Sequence, residues 1–416
     1  MFRLVDTAVQ PLEPYRKFVS AGAIERIESL AKGLRGVRIL QLNATPYGGG
    51  VAELLSSLVP LETGLGLNVS WGNIVAEPHF FDFTKRLHNA LQGAADFEVN
   101  ESELGAYLLH NGHVADAIRG RYDLVVVHDP QPLPTASLAG GDSTRWIWRV
   151  HIDMSAYNPD AWRFLRPYIE PYSRLVFTMP DFEPKDIVDG RVSLMVPAID
   201  PLSPKNLPVP ADLVNGLVRW FGVELDRPLL TQVSRFDPWK DPLGVIRVYR
   251  QLRERHPGLQ LALLGQMALD DPEGWTIYDA IREEAADDRD IHVRTNFNGV
   301  GNIEVNAFQR HSDVVIQKSV REGFGLVVSE TLWKGTPIVA GRTGGIPLQL
   351  ENGRGGFLVE HEEEWVSRVD ALLVDGEERR QQGERGRRWV QERFLITRLL
   401  EDELRLMADV LERTPE

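Results

Sequence analysis

The chain has 416 residues, of which 43% are hydrophobic and 25% charged, the mix of a soluble globular protein with more than one hydrophobic core. Its formal net charge of −14 argues against proteins that bind nucleic acid or attach to anionic lipid, which usually carry a basic face. The absence of cysteine excludes disulfides and thiol nucleophiles, and the absence of a signal-like start or a long apolar run predicts a cytoplasmic protein.

Short apolar runs alternate with amphipathic stretches along the first half of the chain. The predicted strands are residues 37–43, 68–75, 124–128, 146–152 and 175–179, and the first of them leads into a glycine turn at residues 48–50 and a helix that starts at residues 51–60. Apolar strands separated by helices are typical of a parallel sheet that is covered on both faces.

The alternation begins again after residues 197–210, a proline-rich segment that indicates a linker. The second set comprises strands at residues 229–234, 259–264, 314–317 and 337–340 and a helix at residues 242–255. We therefore predict two Rossmann-like, doubly wound α/β domains, at residues 1–203 and 204–395. Because ligands of such sheets bind at the carboxyl ends of the strands, the two domains are expected to face a cleft.

The C-terminal part of the chain is rich in charged residues. Residues 377–413 have a helical period and predict a solvated surface helix. We expect the final segment, residues 396–416, to pack back on the N-terminal domain.

The most informative motif is the segment 321–330, which places Glu322 and Glu330 eight residues apart. Between them lie two glycines and the start of an apolar helix, whose free backbone N–H groups suit an anion. Glu322 precedes those groups, and Glu330 lies inside the helix, roughly 7 Å further along. This arrangement suits a ligand with a diphosphate between two hydroxyl-rich groups, such as a nucleotide sugar.

Two loops that follow predicted strands carry further candidates. Arg235 and Lys240 lie five positions apart and can neutralise a diphosphate and stabilise it as a leaving group. The glycines at residues 48–50 let the backbone approach a ligand closely. Each loop alone is also compatible with an ordinary solvated turn, and their combination with Glu322 favours a binding role.

Strand ends in the first set carry more ambiguous residues. His151 and Asp153 end one predicted strand, and His128 and Asp129 end another. A histidine that reaches into the cleft and a histidine satisfied within the core are equally compatible with these positions. Asp129 and Asp153 are candidate acceptor-side residues only because they lie at strand ends. The glycine pair at residues 344–345 fits either a loop that borders the cleft or a plain turn.

Motifs for metal and for mononucleotide phosphate are missing. The sequence has no His-x-His, no His-Glu-x-x-His, no acidic calcium loop and no P-loop. We therefore expect no metal site made by the protein, and Arg235 and Lys240 would supply the positive charge on the diphosphate. A nucleotide-sugar transferase and a catalytically idle nucleotide-sugar-binding protein both stay open at this point.

The order of glycine-rich turn, R-x4-K loop and E-x7-E motif resembles the retaining glycosyltransferases of family 4, which have the GT-B fold. Within that family, four segments are similar to those of the trehalose glycosyltransferring synthases, namely residues 233–240, 270–275, 305–310 and 321–325. The trehalose phosphorylases share part of the pattern, and a phosphorylase that makes glucose 1-phosphate from trehalose and phosphate is the alternative reading.

The resemblance implies a retaining, reversible glucosyl transfer from ADP-, UDP- or GDP-glucose to free glucose, which gives α,α-trehalose. It implies an N-terminal acceptor domain, a C-terminal donor domain and no tightly bound cofactor. A homodimer is a further expectation from the family, and assistance by Mg²⁺ through the nucleotide stays open.

The resemblance also implies roles for individual residues. Glu322 would contact hydroxyls of the donor sugar, Glu330 would contact the ribose, and the base would lie along residues 294–300. The catalytic positions would be Arg235, Lys240, Glu322 and His151, and the donor-binding positions would be Gly48, Gly49, Asn296, Gly323, Phe324, Gly325, Leu326 and Glu330. Retention would follow from reaction on one face of the sugar, with the leaving phosphate oxygen taking the proton of the acceptor.

Overall fold

The structure is a computed structural model that describes residues 2–47, 49–140, 143–188, 190–267 and 272–412. The strands are β1 (Phe2–Val5), β2 (Arg38–Asn43), β3 (Asn68–Ile74), β4 (Leu124–His128), β5 (Arg145–Arg149), β6 (Arg174–Phe177), β7 (Val192–Leu194), β8 (Leu229–Arg235), β9 (Gln260–Gln266), β10 (Ile291–Thr295), β11 (Val314–Gln317), β12 (Ile338–Gly341) and β13 (Gly356–Val359).

The helices lie between these strands and at the end of the chain. They are α1 (Ala21–Gly33), α2 (Gly50–Gly64), α3 (Pro78–Leu91), α4 (Glu101–Ile118), α5 (Thr135–Ala139), α6 (Pro159–Leu165), α7 (Ala211–Trp220), α8 (Pro242–Arg255), α9 (Pro272–Ala285), α10 (Asn302–His311), α11 (Leu326–Trp333), α12 (Ile346–Leu350), α13 (Glu364–Val374), α14 (Gly376–Arg393) and α15 (Ile396–Val410). The described residues contain no helix that is long and apolar enough to cross a membrane.

The chain divides into two compact units. Residues 199–395 form unit 2, and the described residues before and after them form unit 1. Each unit contains one sheet, and most of its strands are parallel and covered by helices. The prediction of two doubly wound α/β domains is confirmed.

The sheet of unit 1 has the strand order β1-β3-β2-β4-β5-β6-β7. β1 pairs antiparallel with β3, and the pairs from β3 to β7 are parallel. The prediction missed β1 and β7 because these edge strands are short and are not fully buried, so they lack a continuous apolar run. The order reverses between β2 and β4, so the loops after these two strands flank the point where such sheets bind ligands.

The sheet of unit 2 is parallel throughout, with the order β10-β9-β8-β11-β12-β13. The prediction missed β10, where His292 and Arg294 interrupt the apolar pattern, and β13, which begins with glycine. The order reverses between β8 and β11. Arg235 ends β8 and Lys240 lies in the loop after it, whereas Glu322 lies in the loop after β11 and Glu330 lies in α11.

The prediction of one solvated helix at residues 377–413 is wrong. Two helices occupy the described part of this segment, and they are separated at Phe394 and Leu395, which are both buried. The second helix, α15, belongs to unit 1 and packs against α1 and α2. Its buried face includes a charged residue, Glu403. The many charges of this segment favour a solvated helix, but α15 carries an apolar stripe between them.

Candidate active site

The reversal point of the unit 2 sheet brings Lys240 and Glu322 together. Lys240 ends a single 3₁₀ turn after β8, and Glu322 lies in the loop after β11. The Lys240 Nζ atom donates to Oε2 of Glu322 at 2.6 Å, and each side chain is 13% exposed. The structure therefore joins two predicted site residues that are 82 positions apart in sequence.

Polar neighbours fix one oxygen of Glu322 and leave the other free. Oε2 also accepts from Ser319 Oγ at 3.2 Å and from Gln317 Nε2 at 3.4 Å. Among the described residues, Oε1 has no hydrogen-bond partner. Glu322 is thus an oriented carboxylate with one acceptor oxygen available to a ligand hydroxyl.

The loop after Glu322 presents backbone N–H groups at the start of α11. Gly325 adopts a left-handed conformation with φ of 79° and caps the helix. The carbonyl oxygens of Gly323 and Phe324 accept hydrogen bonds from Gly345 N–H at 2.8 Å and Gln349 Nε2 at 2.6 Å. With those carbonyls held inside the unit, the N–H groups at the start of α11 form a favourable place for an anion.

The Gly344–Gly345 pair packs directly on this loop. A Cβ atom on Gly344, whose φ is +52°, would lie 1.7 Å from the carbonyl oxygen of Glu322. A Cβ atom on Gly345 would lie 2.9 Å from the ring of Phe324. The close approach of these backbones accounts for both glycines and places the predicted Gly-Gly loop beside Glu322.

Gly344→Ala is expected to lower the free energy of unfolding by more than Gly335→Ala, because only the first creates a backbone overlap. Gly335 has φ of +78° and open space around a built Cβ, so its alanine variant reports the left-handed strain alone, about 1–2 kcal/mol. Urea unfolding of the two variants measures the difference. Equal losses would show that the loop relaxes without cost.

Arg235 is the more exposed cation of the R-x4-K loop. Its side chain is 63% exposed, and Nη2 lies 3.2 Å from Oδ2 of the buried Asp237. Burial raises the pKa of the Asp237 carboxyl, while the neighbouring Arg235 opposes that shift. The guanidinium thus lies beside the Asp237 carboxyl, whose two oxygens have no hydrogen-bond partner among the described residues.

Glu330 lies inside α11 and is almost completely buried. Its Oε1 contacts Lys205 Nζ at 3.3 Å, and the buried Oε2 has no hydrogen-bond partner among the described residues. A buried carboxylate oxygen without a donor is costly unless a ligand supplies one. Asn296, in contrast, uses its side chain within the unit, where it exchanges two hydrogen bonds with the backbone of Met267 at 2.8 and 3.1 Å.

At the reversal point of unit 1, two histidines and a glutamine form a hydrogen-bonded row. Nδ1 of His128 lies 2.9 Å from Nε2 of His151, and Nε2 of His128 lies 2.8 Å from Oε1 of Gln41. Burial, together with the neighbouring Arg149, holds the pKa of both imidazoles well below the ordinary value, so both are neutral. The two histidines differ in exposure, because His128 is buried and His151 is partly exposed.

Asp129 connects β4 to His151. It adopts a left-handed conformation with φ of 62°, which is uncommon for a non-glycine residue, and its carbonyl accepts from Trp148 Nε1 at 2.9 Å. Its Oδ1 accepts from the backbone N–H of His151 at 2.8 Å. Burial raises the pKa of Asp129 to about 7, although the His151 N–H group and Arg149 oppose the shift.

The raised pKa of Asp129 predicts a specific dependence of stability on pH. The folded carboxyl keeps its proton up to about pH 7, whereas the unfolded carboxyl loses it near the ordinary pKa of 3.8. The folded protein therefore binds more protons in this window, and this contribution to stability is present at low pH and lost as the pH rises towards and through 7.

Asp129→Asn should remove that contribution and keep the acceptor oxygen for His151. Relative to the wild type, the variant is expected to gain a few kcal/mol between pH 4 and pH 8, at about 1.4 kcal/mol per pKa unit. Urea unfolding across this range gives the comparison, with Asp160→Asn at an exposed carboxylate as the control. Parallel pH profiles for wild type and Asp129→Asn would contradict the assignment.

The remaining predicted positions of unit 1 are Asp153, Gly49 and Gly48. Asp153 is buried and its Oδ1 accepts from Ser155 N–H at 2.9 Å, which stabilises a turn after β5. Gly49 is exposed and caps α2 without a side chain. Gly48 lies outside the described residues. Among the described residues, no group of three or more acidic or histidine side chains is placed to hold a metal ion.

Two protein-family models match the chain, one in its N-terminal half and one in its C-terminal half. Residues 41–184 match the model of the trehalose synthase N-terminal domain, and residues 220–389 match the glycosyl transferases group 1. A trehalose synthase of Rubrobacter xylanophilus is 47% identical over 99% of this chain and all of that protein, and one of Thermococcus litoralis is 41% identical over 95% and 96%. The chain belongs to the trehalose synthase family. It is therefore a hexosyltransferase that acts in trehalose-related glycosyl transfer.

More distant similarities of this trehalose synthase family member agree with the GT-B fold. A sucrose-phosphate synthase of Thermosynechococcus elongatus superposes with a TM-score of 0.72 at 16% identity, over 90% of this chain and 99% of that one. An α,α-trehalose-phosphate synthase of Burkholderia xenovorans has the same score at 17% identity, over 90% of this chain and all of that one. A trehalose phosphorylase of Pleurotus sajor-caju is 30% identical over 84% of this chain and 55% of its own length.

Several side chains that hydrogen-bond to the predicted site residues, or to their neighbours, were not predicted from the sequence. They are Gln41, Glu62, Lys205, Gln317, Ser319 and Glu403. For Glu403 a signal was available, because it occupies an apolar stripe of α15 with Leu400, Leu404 and Met407. A carboxylate on such a stripe indicates a buried partner.

Proposed function

We propose that the protein transfers glucose reversibly, and with retention, from a nucleoside-diphosphate glucose to free glucose, which gives α,α-trehalose. The observation that carries the proposal is the Lys240–Glu322 pair at the reversal point of the unit 2 sheet, beside the N–H groups that start α11. This site combines a cation, the N-terminus of a helix and a carboxylate with one unbonded oxygen. The three together suit a phosphate that is attached to a sugar. The full-length similarity to trehalose synthases supports glucose as that sugar.

In this proposal the donor loop of unit 2 binds the diphosphate and the sugar through different groups. Arg235 and Lys240 contact the diphosphate, and the N–H groups of residues 323–326 contribute their partial positive charge. Oε1 of Glu322 accepts from a glucose hydroxyl. The buried Oε2 of Glu330 accepts from the ribose, and the base lies along residues 294–300, including Asn296. Mg²⁺, if it takes part, is carried by the nucleotide.

Unit 1 contributes residues for the two sugars. His151 accepts from a sugar hydroxyl, residues 48–49 are kept as proposed donor-binding positions, and Asp129 and Asp153 are proposed acceptor-side residues. Asp129 restrains the loop after β4 relative to the residues after β5, because it accepts hydrogen bonds from both Trp148 and His151. Rigid positioning of this kind lowers the entropic part of a barrier between two substrates.

The proposed chemistry takes place on one face of the donor glucose. The bond from the anomeric carbon to the diphosphate oxygen breaks as the acceptor hydroxyl oxygen bonds to the same face of that carbon. The hydroxyl proton passes to the leaving diphosphate oxygen, so no group of the protein changes its charge. In this mechanism Glu322 is no nucleophile: Lys240 and Ser319 hold its Oε2, and its Oε1 accepts from the glucose hydroxyl. A trapped glucosyl-enzyme would contradict this mechanism.

One experiment separates the candidate functions. The protein is incubated with trehalose and ADP, UDP or GDP, and in parallel with trehalose and inorganic phosphate, and the sugar products are identified. Nucleoside-diphosphate glucose is the expected product. Glucose 1-phosphate as the only product would instead establish a phosphorylase, an alternative that the 30% identity to a trehalose phosphorylase supports. No product under any condition would indicate a nucleotide-sugar-binding protein.

Glu330→Ala is expected to weaken binding of the nucleoside diphosphate about tenfold or more, since a hydrogen bond to a charged group contributes about 1.5–3 kcal/mol. Calorimetric titration with the nucleoside diphosphate measures the loss. Inorganic pyrophosphate, which lacks a ribose, serves as the matched probe and should bind with unchanged affinity. An equal loss for both probes would contradict the ribose contact and indicate a general disturbance of α11.

A further inference from the structure

A row of buried polar side chains runs from α15 to His151 within unit 1. Arg149 Nη1 donates to Glu403 Oε2 at 2.8 Å, and Gln41 Nε2 donates to Glu403 Oε1 at 2.6 Å. Gln41 Oε1 then lies 2.8 Å from Nε2 of His128, and Nδ1 of His128 lies 2.9 Å from Nε2 of His151. Hydrogen bonds thus connect side chains of α15, β2, β4 and β5 in one row that ends at the imidazole of His151.

The ion pair at one end determines which way the amide of Gln41 points. Glu403 forms an ion pair with Arg149, and both side chains are only 3% exposed. A carboxylate accepts hydrogen bonds and donates none, so the NH₂ group of Gln41 must face Glu403. The carbonyl Oε1 of Gln41 therefore faces His128 and can only accept.

The orientation of Gln41 then determines both imidazole tautomers. His128 must carry its proton on Nε2 to donate to Gln41 Oε1. Because the buried ring is neutral, its Nδ1 is an acceptor, and His151 must donate from Nε2. The Nδ1 atom of His151 is left as an unprotonated acceptor, and it has no hydrogen-bond partner among the described residues.

We propose that Glu403, Gln41 and His128 are positioning residues that hold His151 in the tautomer with the proton on Nε2. His151 then presents Nδ1 as a fixed acceptor for a substrate hydroxyl. The tautomer follows from the hydrogen bonds, the Arg149–Glu403 ion pair and the neutral ring of His128, and only its use on a glucose hydroxyl rests on the proposed function. A neutral histidine without these partners would populate both tautomers and would present a donor part of the time.

The first measurement uses the wild-type protein with ¹⁵N-labelled histidine. Two-bond ¹H–¹⁵N correlation spectra at neutral pH distinguish a protonated ring nitrogen from an unprotonated one, and the His151→Gln variant assigns the signal by its loss. His151 is expected to show a protonated Nε2 and an unprotonated Nδ1. A protonated Nδ1, or a mixture of the two forms, would overturn the proposal. No substrate is present, so this result is independent of the transferase activity.

The second measurement uses Glu403→Gln, which changes one atom at the far end of the row. The new amide must direct its oxygen to Arg149 and its NH₂ group to Gln41, so Gln41 turns over. His128 then needs an unprotonated Nε2 and donates from Nδ1, and His151 becomes protonated on Nδ1. The expected spectrum is the inverted tautomer, with kcat/KM for glucosyl transfer lowered about tenfold or more because an acceptor has become a donor.

The control for that variant is Glu401→Gln on the same helix. Glu401 pairs with the exposed Arg26 at 2.7 Å and lies outside the row. Its variant should keep the wild-type tautomer. An uninverted His151 signal in folded Glu403→Gln would overturn the role of Glu403.

A pair of variants at His128 tests the row with the Arg149–Glu403 ion pair intact. His128→Gln can donate to Gln41 and accept from His151, so the wild-type tautomer of His151 is expected to persist. His128→Phe fills similar volume and offers no acceptor, so both tautomers are expected. This pair decides the question if Glu403→Gln fails to fold. A single, unchanged tautomer in His128→Phe would show that His128 does not position His151.

Discussion

Lys240→Ala is expected to lower kcat for glucosyl transfer about 100-fold to 1,000-fold, the usual effect of removing one group that stabilises charge in a transition state. In the proposed mechanism negative charge builds up on the leaving diphosphate, and Lys240 is a cation held in place by Glu322 and by the turn at Asp241. The Lys240 carbonyl accepts from Gln232 Nε2 at 2.7 Å, so the backbone beneath the side chain is also fixed. Initial rates at saturating substrate concentrations measure the effect.

Two controls separate a phosphate contact from a structural role of Lys240. Lys185→Ala removes an exposed lysine of unit 1 and should leave the rate unchanged. Glu322→Gln removes the partner of Lys240 and keeps the lysine. If Lys240 acts on the diphosphate, Lys240→Ala should weaken binding of the nucleoside diphosphate, whereas Glu322→Gln should impair transfer and leave that binding largely intact. Unchanged activity in both Lys240→Ala and Arg235→Ala would refute the site assignment.

Glu403→Ala is expected to lower the free energy of unfolding by about 3–5 kcal/mol, the cost of leaving a buried charge without its partner. The Arg149 guanidinium is 3% exposed, and one of its nitrogens, Nη2, already lacks a hydrogen-bond partner among the described residues. Loss of Glu403 would leave Arg149 with no carboxylate at hydrogen-bonding distance in the described part of the chain. Urea unfolding gives the free energy.

The double variant Arg149→Met with Glu403→Leu should recover most of that loss. Replacing both members of a buried ion pair with apolar residues of similar volume is often close to neutral, so the double variant tests whether the cost arises from the stranded charge. Glu401→Ala breaks a surface pair on the same helix and should have a much smaller effect. A loss in Glu403→Ala no greater than that in Glu401→Ala would show that water reaches Arg149.

Much of the fold could be predicted because its signals are local. The strands β2, β4, β8, β9 and β11 are runs of apolar residues bounded by turns, and a buried parallel strand has that pattern wherever its neighbours lie. The strands that the prediction missed lie near the edges of the sheets or contain polar residues. The burial of such a strand depends on the elements that pack against it, and the periodicity of the strand's own sequence carries no information about them.

The prediction of site residues named positions and could not supply the partners that their side chains have in the structure. Glu322 and Lys240 were both chosen for a ligand, yet their mutual ion pair depends on the adjacency of β8 and β11. Asn296 was chosen for the base, and the structure shows its side chain bonded to the backbone of Met267, 29 positions away. The roles of these residues towards a ligand stay predictions.

The sequence by itself determined the class of the two sheets and the loop that opens α11, because strand periodicity, glycine conformation and helix capping act over a few residues. Only the tertiary structure decided that Glu403 meets Arg149, which is 254 positions away, and Gln41, which is 362 positions away. A buried charge is stable only beside its counter-charge, so the packing of α15 on unit 1 selects these partners. Through them it selects which nitrogen of His151 carries the proton.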